Sequence, residues 1–208
     1  GLISVLSEAE REALDEGKTG LKVVPVLAIY GANASGKSTM LNAIERYAST
    51  IRWSHVRGGP ETGMPYSPFL LDESSGEQPS RYDADFVIGD TRYHYGFSVN
   101  SDAVESEWLF SFPIGTGRQA RTVLFHRDQG QRSEYRFGKA LRGEVRQIAK
   151  LTRNNSLFLS AAAQNAHPQL SDIYEFFSTG ISTRLGGTTD AAIAEQLSAY
   201  FKGEQREW

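Results

Sequence analysis

The sequence predicts an α/β fold whose core is interrupted by an antiparallel β subdomain. A short apolar segment rich in β-branched residues, 23–30, precedes an amphipathic helical pattern, and a second apolar segment, 156–163, precedes another. Between them, residues 81–137 alternate apolar and polar side chains and contain tight-turn sequences. The 208 residues suffice for one domain with a substantial insertion.

This interpretation divides the chain into three parts. Residues 1–60 form the first strand–helix part of the core, residues 61–138 form the antiparallel β insertion, and residues 139–208 return to the core. We expect the sheet of the core to be completed by strands from both flanking parts.

Composition excludes several classes of protein. Hydrophobic residues make up 39% and charged residues 23% of the chain, as in a soluble globular protein. The chain has no cysteine, which excludes disulfides, thiolate metal sites and a cysteine nucleophile. No apolar run approaches the roughly 20 residues of a membrane span, and the start lacks a signal-peptide layout, so we expect a cytoplasmic protein without membrane contact. The net charge of −3 alone predicts no partner.

The first part contains a predicted strand and two predicted helices. Ser7 can cap a short helix over 7–14, and segment 23–30 is typical of a strand buried on both faces, although Pro25 weakens its start. A helix is predicted from Lys37 to about Trp53. Its apolar face consists of Met40, Leu41, Ile44, Tyr47, Ala48 and Ile51.

The insertion is predicted to be a sheet of short strands after a Gly- and Pro-rich loop. The predicted strands are 84–88, 91–99, 105–112, 121–127 and 133–137. Gly89-Asp90 is a hairpin turn sequence between the first two. The arginines interleaved with aromatic rings are Arg81, Arg92, Arg121, Arg127 and Arg136. Such a sheet either stacks nucleic-acid bases or simply places one face on its core, and the pattern favours the second.

The last part is predicted to contain a helix over 139–152, the strand 156–163, and helices at about 168–179 and 189–202. On the first helix, one basic stripe is predicted opposite the apolar face, formed by Lys139, Arg142, Arg146 and Lys150. A basic stripe suits a phosphate backbone, but a solvated helix face is the commoner explanation.

One motif carries chemistry. Gly31-Ala-Asn-Ala-Ser-Gly-Lys-Ser38 matches G-x-x-x-x-G-K-[ST] and joins the apolar strand to the amphipathic helix, as a phosphate-binding P-loop does. The glycines allow backbone N–H groups to point inward at phosphates, and the helix N-terminus adds to this anion site. The predicted binding residues are Gly31, Ala32, Asn33, Ala34, Ser35, Gly36, Lys37, Ser38 and Thr39. Lys37 is expected to reach the β- and γ-phosphates, Ser38 to coordinate Mg²⁺, and Thr39 to contact the α-phosphate.

Hydrolysis also needs an acidic strand end that holds the metal ion. Phe69-Leu-Leu-Asp-Glu73 is a weak match, since its apolar run is three residues long and Pro68 precedes it. We therefore expect the catalytic carboxylate to lie outside this chain. If Asp72 did hold the metal, a small P-loop kinase or GTPase would be an alternative, but no N-K-x-D motif for guanine is present.

Three stretches in order resemble ABC-type or AAA-type P-loop ATPases of the RloA-like and OLD-like (overcoming-lysogenisation-defect) class, relatives of RecF and SMC heads. They are residues 21–38 with the P-loop, the β unit with Tyr93-His-Tyr-Gly-Phe97 and 105–109, and 151–165. The resemblance covers most of residues 21–177. The P-loop is shared with many proteins, whereas the order of the three stretches is more specific.

The resemblance implies an ABC-ATPase-like half-domain that binds ATP and Mg²⁺ and brings two ATPase heads together. Gln164 is the candidate for the Q-loop glutamine that senses Mg²⁺ and the γ-phosphate, although an amide capping a strand or helix end is an alternative. The family's signature and Walker B motifs lie further towards the C-terminus, so we expect a fragment that binds ATP without efficient turnover. The implied role is bacterial phage defence, with an effector nuclease or other protein partner and DNA as candidate partners. The alternative is a nucleotide-gated binding module for protein or nucleic acid.

Overall fold

The structure, a computed structural model, describes residues 29–59, 61–68, 76, 78–114, 121–131 and 133–181. Its helices are α1 Lys37–Trp53, α2 Val145–Leu151, α3 Phe158–Gln164 and α4 Leu170–Thr179. Its strands are β1 Ser80–Ile88, β2 Thr91–Val99, β3 Val104–Pro113, β4 Thr122–Asp128 and β5 Tyr135–Phe137. The predicted helix 37–53 and the five predicted strands of the insertion are confirmed, with boundaries that move by a few residues.

The five strands form one antiparallel sheet in the order β1-β2-β3-β4-β5. Each strand pairs with its neighbour in sequence, as expected when tight turns connect consecutive strands. The turn between β1 and β2 contains Gly89 at φ 55°, a left-handed conformation that glycine adopts without strain. Irregular register occurs at Ser98/Val99 and at Leu109/Phe110.

The core lies between one face of this sheet, the inner face, and the helices. Alternate residues of β2, including Tyr95 and Phe97, are fully buried there. Tyr47 of α1 stacks on Phe97 with ring centroids 5.6 Å apart, and Phe177 of α4 meets Tyr47 edge-on at 5.4 Å. The sheet therefore holds the C-terminal half of α1 and the body of α4 in one cluster of rings.

The strand predicted over 156–163 is wrong, because this segment forms α3. Residues Phe158 to Ala162 are all buried, so the helix has no polar face that would reveal its period. Alanine has the highest helix propensity, which favours a helix at Ala161, Ala162 and Ala163. Among the described residues, every strand pair is antiparallel, so the second strand–helix unit of the predicted core is not found there.

The helix predicted over 139–152 is confirmed only from Val145. Gly143, just before the helix, has φ 114° and is therefore not helical. Lys139 and Arg142 precede the helix and are not part of it. The predicted stripe is thus not continuous on one helix, although its four basic residues are exposed and Leu141, Val145 and Ile148 are buried. The helix predicted at 168–179 is confirmed as α4.

Several predictions fall outside the described residues. They are the helix 7–14, most of the strand 23–30, the Asp72-Glu73 pair and the helix 189–202. Within the described ranges, none of the helices has the length and apolar character needed to cross a membrane.

Candidate functional site

The predicted P-loop makes a tight turn into the N-terminus of α1. The Ser35 N–H donates to the Ala32 carbonyl at 3.3 Å, and the Met40 N–H begins the helical ladder at the Gly36 carbonyl, 3.0 Å away. Ala34 and Gly36 adopt positive φ of 63° and 89°. Alternating right- and left-handed residues of this kind turn successive amides towards one side, which is how backbone nests bind anions.

Gly31 is needed because of close approach within the loop. A Cβ at this position would lie 2.5 Å from the Ser35 Oγ. Any larger residue would therefore push the Ser35 side chain away and open the turn. This close approach of residues 31 and 35 keeps the loop compact.

Lys37 closes this loop with its own ammonium group. Its Nζ donates hydrogen bonds to the carbonyls of Gly31 at 2.8 Å and Ala32 at 2.6 Å, and to the Ser35 Oγ at 3.2 Å. The ammonium is held on the loop rather than extended into solvent. A polyphosphate placed at the loop would meet the ammonium close by and would replace these bonds with bonds to phosphate oxygens.

The N-terminus of α1 favours an anion. Gly36 provides no side-chain cap, and the first turn contains no acidic residue. The first amides of a helix that lack a cap remain available to a ligand, and they coincide with the positive end of the helix dipole. Ser38 and Thr39 lie exposed in this turn, where their hydroxyls are open to a ligand. The structure thus brings the nine predicted binding residues together in one loop and helix start.

The other half of α1 is tied to the sheet through a buried polar network. The Tyr47 hydroxyl donates to the Tyr95 carbonyl at 2.9 Å, and the Tyr95 hydroxyl donates to the Glu107 Oε1 at 2.9 Å. Glu107 also accepts the N–H groups of Phe158 at 2.6 Å and Leu159 at 3.0 Å, the first amides of α3. One carboxylate therefore links α1, the sheet and α3.

Glu107 is fully buried, and this burial raises its pKa. The charge of Arg127 and the hydrogen bonds from the two amides and Tyr95 oppose the rise. Arg127 is fully buried as well and lies opposite Glu107 in the β3–β4 register. It donates to the Glu134 Oε1 at 2.7 Å and the Ser156 carbonyl at 2.8 Å.

Sequence reasoning missed this network. It treated Arg127 as one more arginine between rings and assigned no role to Glu107. Alternation in β3 places Glu107 on the same face as Leu109, so the register of the strand was the signal that could have revealed its burial.

Gln164 does not lie at a strand end, where it was predicted. It is the last residue of α3 and is exposed. Ser160 of α3 contacts the C-terminal end of α1, since its hydroxyl donates to the Ile51 carbonyl and lies 3.1 Å from the Ser54 Oγ. Ile51 and Ser38 are about 20 Å apart along the helix at 1.5 Å per residue. The predicted strand context of Gln164 is wrong, and its role as the glutamine that senses Mg²⁺ stays a prediction.

Comparison with known families identifies the domain. The model of the family described as "AAA domain, putative AbiEii toxin, Type IV TA system" matches residues 26–206. The chain belongs to this AAA domain family. The match includes the P-loop segment and all five strands of the sheet. Neither the curated proteins nor the solved structures contain a significant match to the chain.

Membership of the AAA family establishes the general class. An AAA domain is a P-loop NTPase with an α/β fold, and proteins of this class generally bind ATP together with Mg²⁺. The antiparallel sheet lies within the matched range. The narrower likeness to RloA-like and OLD-like proteins stays a prediction.

Proposed function

We propose that this chain is the Mg-ATP-binding portion of an ABC-type ATPase in which nucleotide binding brings two heads together. The conformation of the P-loop supports the proposal most directly, because Lys37 and the free helix amides converge on one small cradle. The AAA family match over residues 26–206 supports the class of nucleotide.

The residues of the loop have distinct tasks in this proposal. The backbone amides around 32–38 hold the phosphate chain, and Lys37 exchanges its bonds to the Gly31 and Ala32 carbonyls for bonds to β- and γ-phosphate oxygens. The Ser38 hydroxyl holds Mg²⁺, which supplies charge neutralisation between these phosphates. Thr39 contacts the α-phosphate, and Gln164 senses the metal once the second head is in place.

The wider role rests on the family. Its description includes a putative toxin of a toxin–antitoxin system. We infer a bacterial role in anti-phage defence in which ATP-dependent association of heads controls an effector nuclease or another protein partner, with DNA as the signal. Efficient hydrolysis then requires the Walker B and signature residues that the ABC-type resemblance assigns to other segments.

Titration calorimetry with Mg-ATP tests the binding site. The Lys37→Ala variant removes the ammonium, and charge-assisted hydrogen bonds of this kind each contribute about 1.5–3 kcal/mol, so affinity should fall roughly 10- to 150-fold. Lys150→Ala, an exposed lysine at the end of α2, is the matched control and should bind as the wild type does. Equal affinity of the two variants would contradict the assignment.

Two further measurements separate the alternatives. Light scattering with and without Mg-ATP tests head association, and an unchanged mass at saturating nucleotide would leave the nucleotide-gated binding module as the better account. Phosphate release by this chain alone should be very slow. Robust turnover would instead favour a small kinase or GTPase that uses Asp72.

A further inference from the structure

The strand β1 lies at one edge of the sheet, because within the described residues it pairs with β2 alone. It runs for nine residues, from Ser80 to Ile88, whereas strands commonly have about five or six. Along such an edge, every second residue directs its backbone N–H and C=O groups away from the sheet. Native proteins usually cover or pair a long edge of this kind, so the surroundings of β1 indicate what does so here.

A groove of about 470 Å³ runs beside this edge, between β1 and α1. One wall consists of six consecutive residues of β1, from Arg81 to Phe86. Successive side chains of a strand point to opposite faces, so a groove that contacts six in a row follows the edge of the strand for about 17 Å. The other lining residues are Met40, Ala43, Ile44 and Tyr47 of α1, together with Phe176, Phe177 and Ile181.

Apolar side chains on both walls of this groove remain partly exposed. On the β1 wall, Tyr82 and Ala84 are only half-buried, although they share the inner face with the buried Phe86. On the α1 wall, Ile44 is 38% exposed and Met40 is half-buried. A segment that fills the groove would therefore bury apolar surface of the sheet and of the helix at once.

The chain enters this groove at the end of α4. Ile181, the last residue of the described ranges, is among the lining residues. The Arg52 guanidinium donates to the Phe177 carbonyl at 2.9 Å and to the Ile181 carbonyl, so the backbone is held at this place. Residues 182–185 follow directly and lie within the range that the family model matches. Four extended residues reach roughly 13–14 Å, which is most of the length of the groove.

The sequence after Ile181 alternates as a strand does. It reads Ile-Ser-Thr-Arg-Leu over 181–185, and its β-branched residues favour a strand. Because Ile181 lines the groove, a strand that continues from it places Thr183 and Leu185 on the same side and Ser182 and Arg184 on the opposite side. Two glycines follow at 186 and 187, where a strand is expected to end.

The charges beside β1 are compatible with this alternation. Asp83 and Asp85 alternate with the inner-face residues of β1, so they lie on the side of the sheet opposite the helices, the outer face. Their side chains are 36% and 51% exposed, although they pair with Arg81 at 3.1 Å and Arg92 at 3.4 Å. A carboxylate accepts several donors, and opposite charges on neighbouring strands stabilise a sheet. A guanidinium at position 184 would therefore meet favourable neighbours.

We propose that residues 182–185 pair with the free edge of β1 and fill the groove between β1 and α1. Thr183 and Leu185 then cover the half-buried Tyr82 and Ala84 and the exposed side of Ile44, and Arg184 lies on the outer face near the two aspartates. The added strand ties the sheet to the half of α1 that follows the P-loop. This inference does not depend on the proposed ATP site, since the groove is formed without nucleotide.

Amide hydrogen exchange of the 208-residue chain, followed by NMR, tests the pairing. The amides of β1 that point away from β2 should be protected in the wild type. In the double variant Thr183→Pro, Arg184→Pro, they should exchange at least about tenfold faster, because adjacent residues of a strand point their N–H groups to opposite sides and one of the two lost donors faces β1. The same change past the two glycines, Thr188→Pro, Thr189→Pro, is the matched control and should leave these rates within about twofold of the wild type.

Exchange at the buried amide of Leu109 verifies that each variant remains folded. Outward amides of β1 that exchange as fast as loop amides in the wild type would overturn the proposal. Protection that survives the proline pair at 183 and 184 would overturn it as well, because another segment or molecule would then cover the edge.

A spin label tests which segment lies in the groove and whether it comes from the same molecule. The chain has no cysteine, so Ser182→Cys takes a nitroxide at a single position. Relative to the reduced label, the amide signals of β1 and of Met40–Ile44 should be broadened, whereas those of β5, at the far edge of the sheet, should not. In a mixture of labelled chain and isotope-enriched unlabelled chain, the enriched signals should stay sharp. Broadening in that mixture would assign the groove to a second copy, and even broadening over the whole surface would show that the segment does not dock; either result would contradict the proposal.

Discussion

The two ends of α1 differ in what holds them in place. At the N-terminal end, Leu41 is 43% exposed and Ile44 38% exposed, and the hydrogen bonds of the P-loop are made within residues 31–40. At the C-terminal end, Ala48 and Ile51 are fully buried, and Tyr47 is bonded to the sheet. Local backbone geometry therefore forms the loop that we propose binds phosphate, whereas long-range packing holds the helix that follows it.

This difference separates function from stability along one helix. A change in the P-loop should alter ligand affinity and leave global unfolding almost unchanged, because few contacts link it to the described core. A change in the buried network should do the reverse. The variants below test each side of the comparison.

The largest expected effect is the loss of folding stability in the Glu107→Ala variant. The variant leaves the amides of Phe158 and Leu159 without their acceptor. It also removes a carboxylate that compensates the positive charge of the buried Arg127. Losing one member of a buried charged network costs about 3–5 kcal/mol. Urea unfolding measures this loss, and Glu175→Ala, an exposed position on α4, is the control. Similar midpoints for the two variants would refute the role assigned to the network.

Gly36→Ala should act on the other end of α1. Gly36 has φ 89° and no neighbouring atom within 4 Å of an added Cβ, so the cost is conformational and amounts to about 1–2 kcal/mol. If the loop relaxes in the free protein, this cost appears on binding, so we expect Mg-ATP affinity to fall roughly 5- to 30-fold, with the urea midpoint nearly unchanged. Ala34→Gly, at φ 63°, is the opposite change and should not weaken binding. A large drop in global stability for Gly36→Ala would show that the two ends are coupled.

Tyr47→Phe tests the comparison at the point where the exposed N-terminal half of α1 meets its buried C-terminal half. It removes the hydrogen bond from the hydroxyl to the Tyr95 carbonyl and keeps the ring stacked on Phe97. The expected loss is about 1 kcal/mol of unfolding free energy, with Mg-ATP affinity within twofold of the wild type. Tyr174→Phe, which removes a similar bond to the Arg52 carbonyl near the same end, should behave alike. A loss of affinity without a loss of stability would contradict the separation.

The smallest effect concerns pH. Burial lowers the pKa of His167, whose Nδ1 accepts the Leu170 N–H at the start of α4. The unfolded chain binds this proton more readily than the folded chain, so stability should fall as the pH drops below the ordinary histidine pKa of about 6.5. His167→Asn keeps an acceptor but does not titrate. The stability of this variant should depend less on pH between 7.5 and 5.5. An unchanged dependence would show that His167 does not cause the loss of stability at low pH.

The sequence predicted the parts of the molecule that local rules determine. The spacing of Gly31, Gly36 and Lys37 indicates the loop, and the apolar positions of 37–53 indicate the helix, because both depend on neighbours in sequence. The helix α3 was mistaken for a strand, since a fully buried segment shows no period. Glu107 and Arg127 acquire their roles from the β3–β4 register, which no local pattern contains.

A backbone-amide NMR titration with Mg-ATP tests the central claim most directly. The account predicts the largest shifts at the amides of residues 32–39, with small changes at buried amides of β2 such as Tyr95 and Phe97. If the amide signals around Lys37 did not shift at saturating Mg-ATP, the result would contradict a phosphate site in this loop.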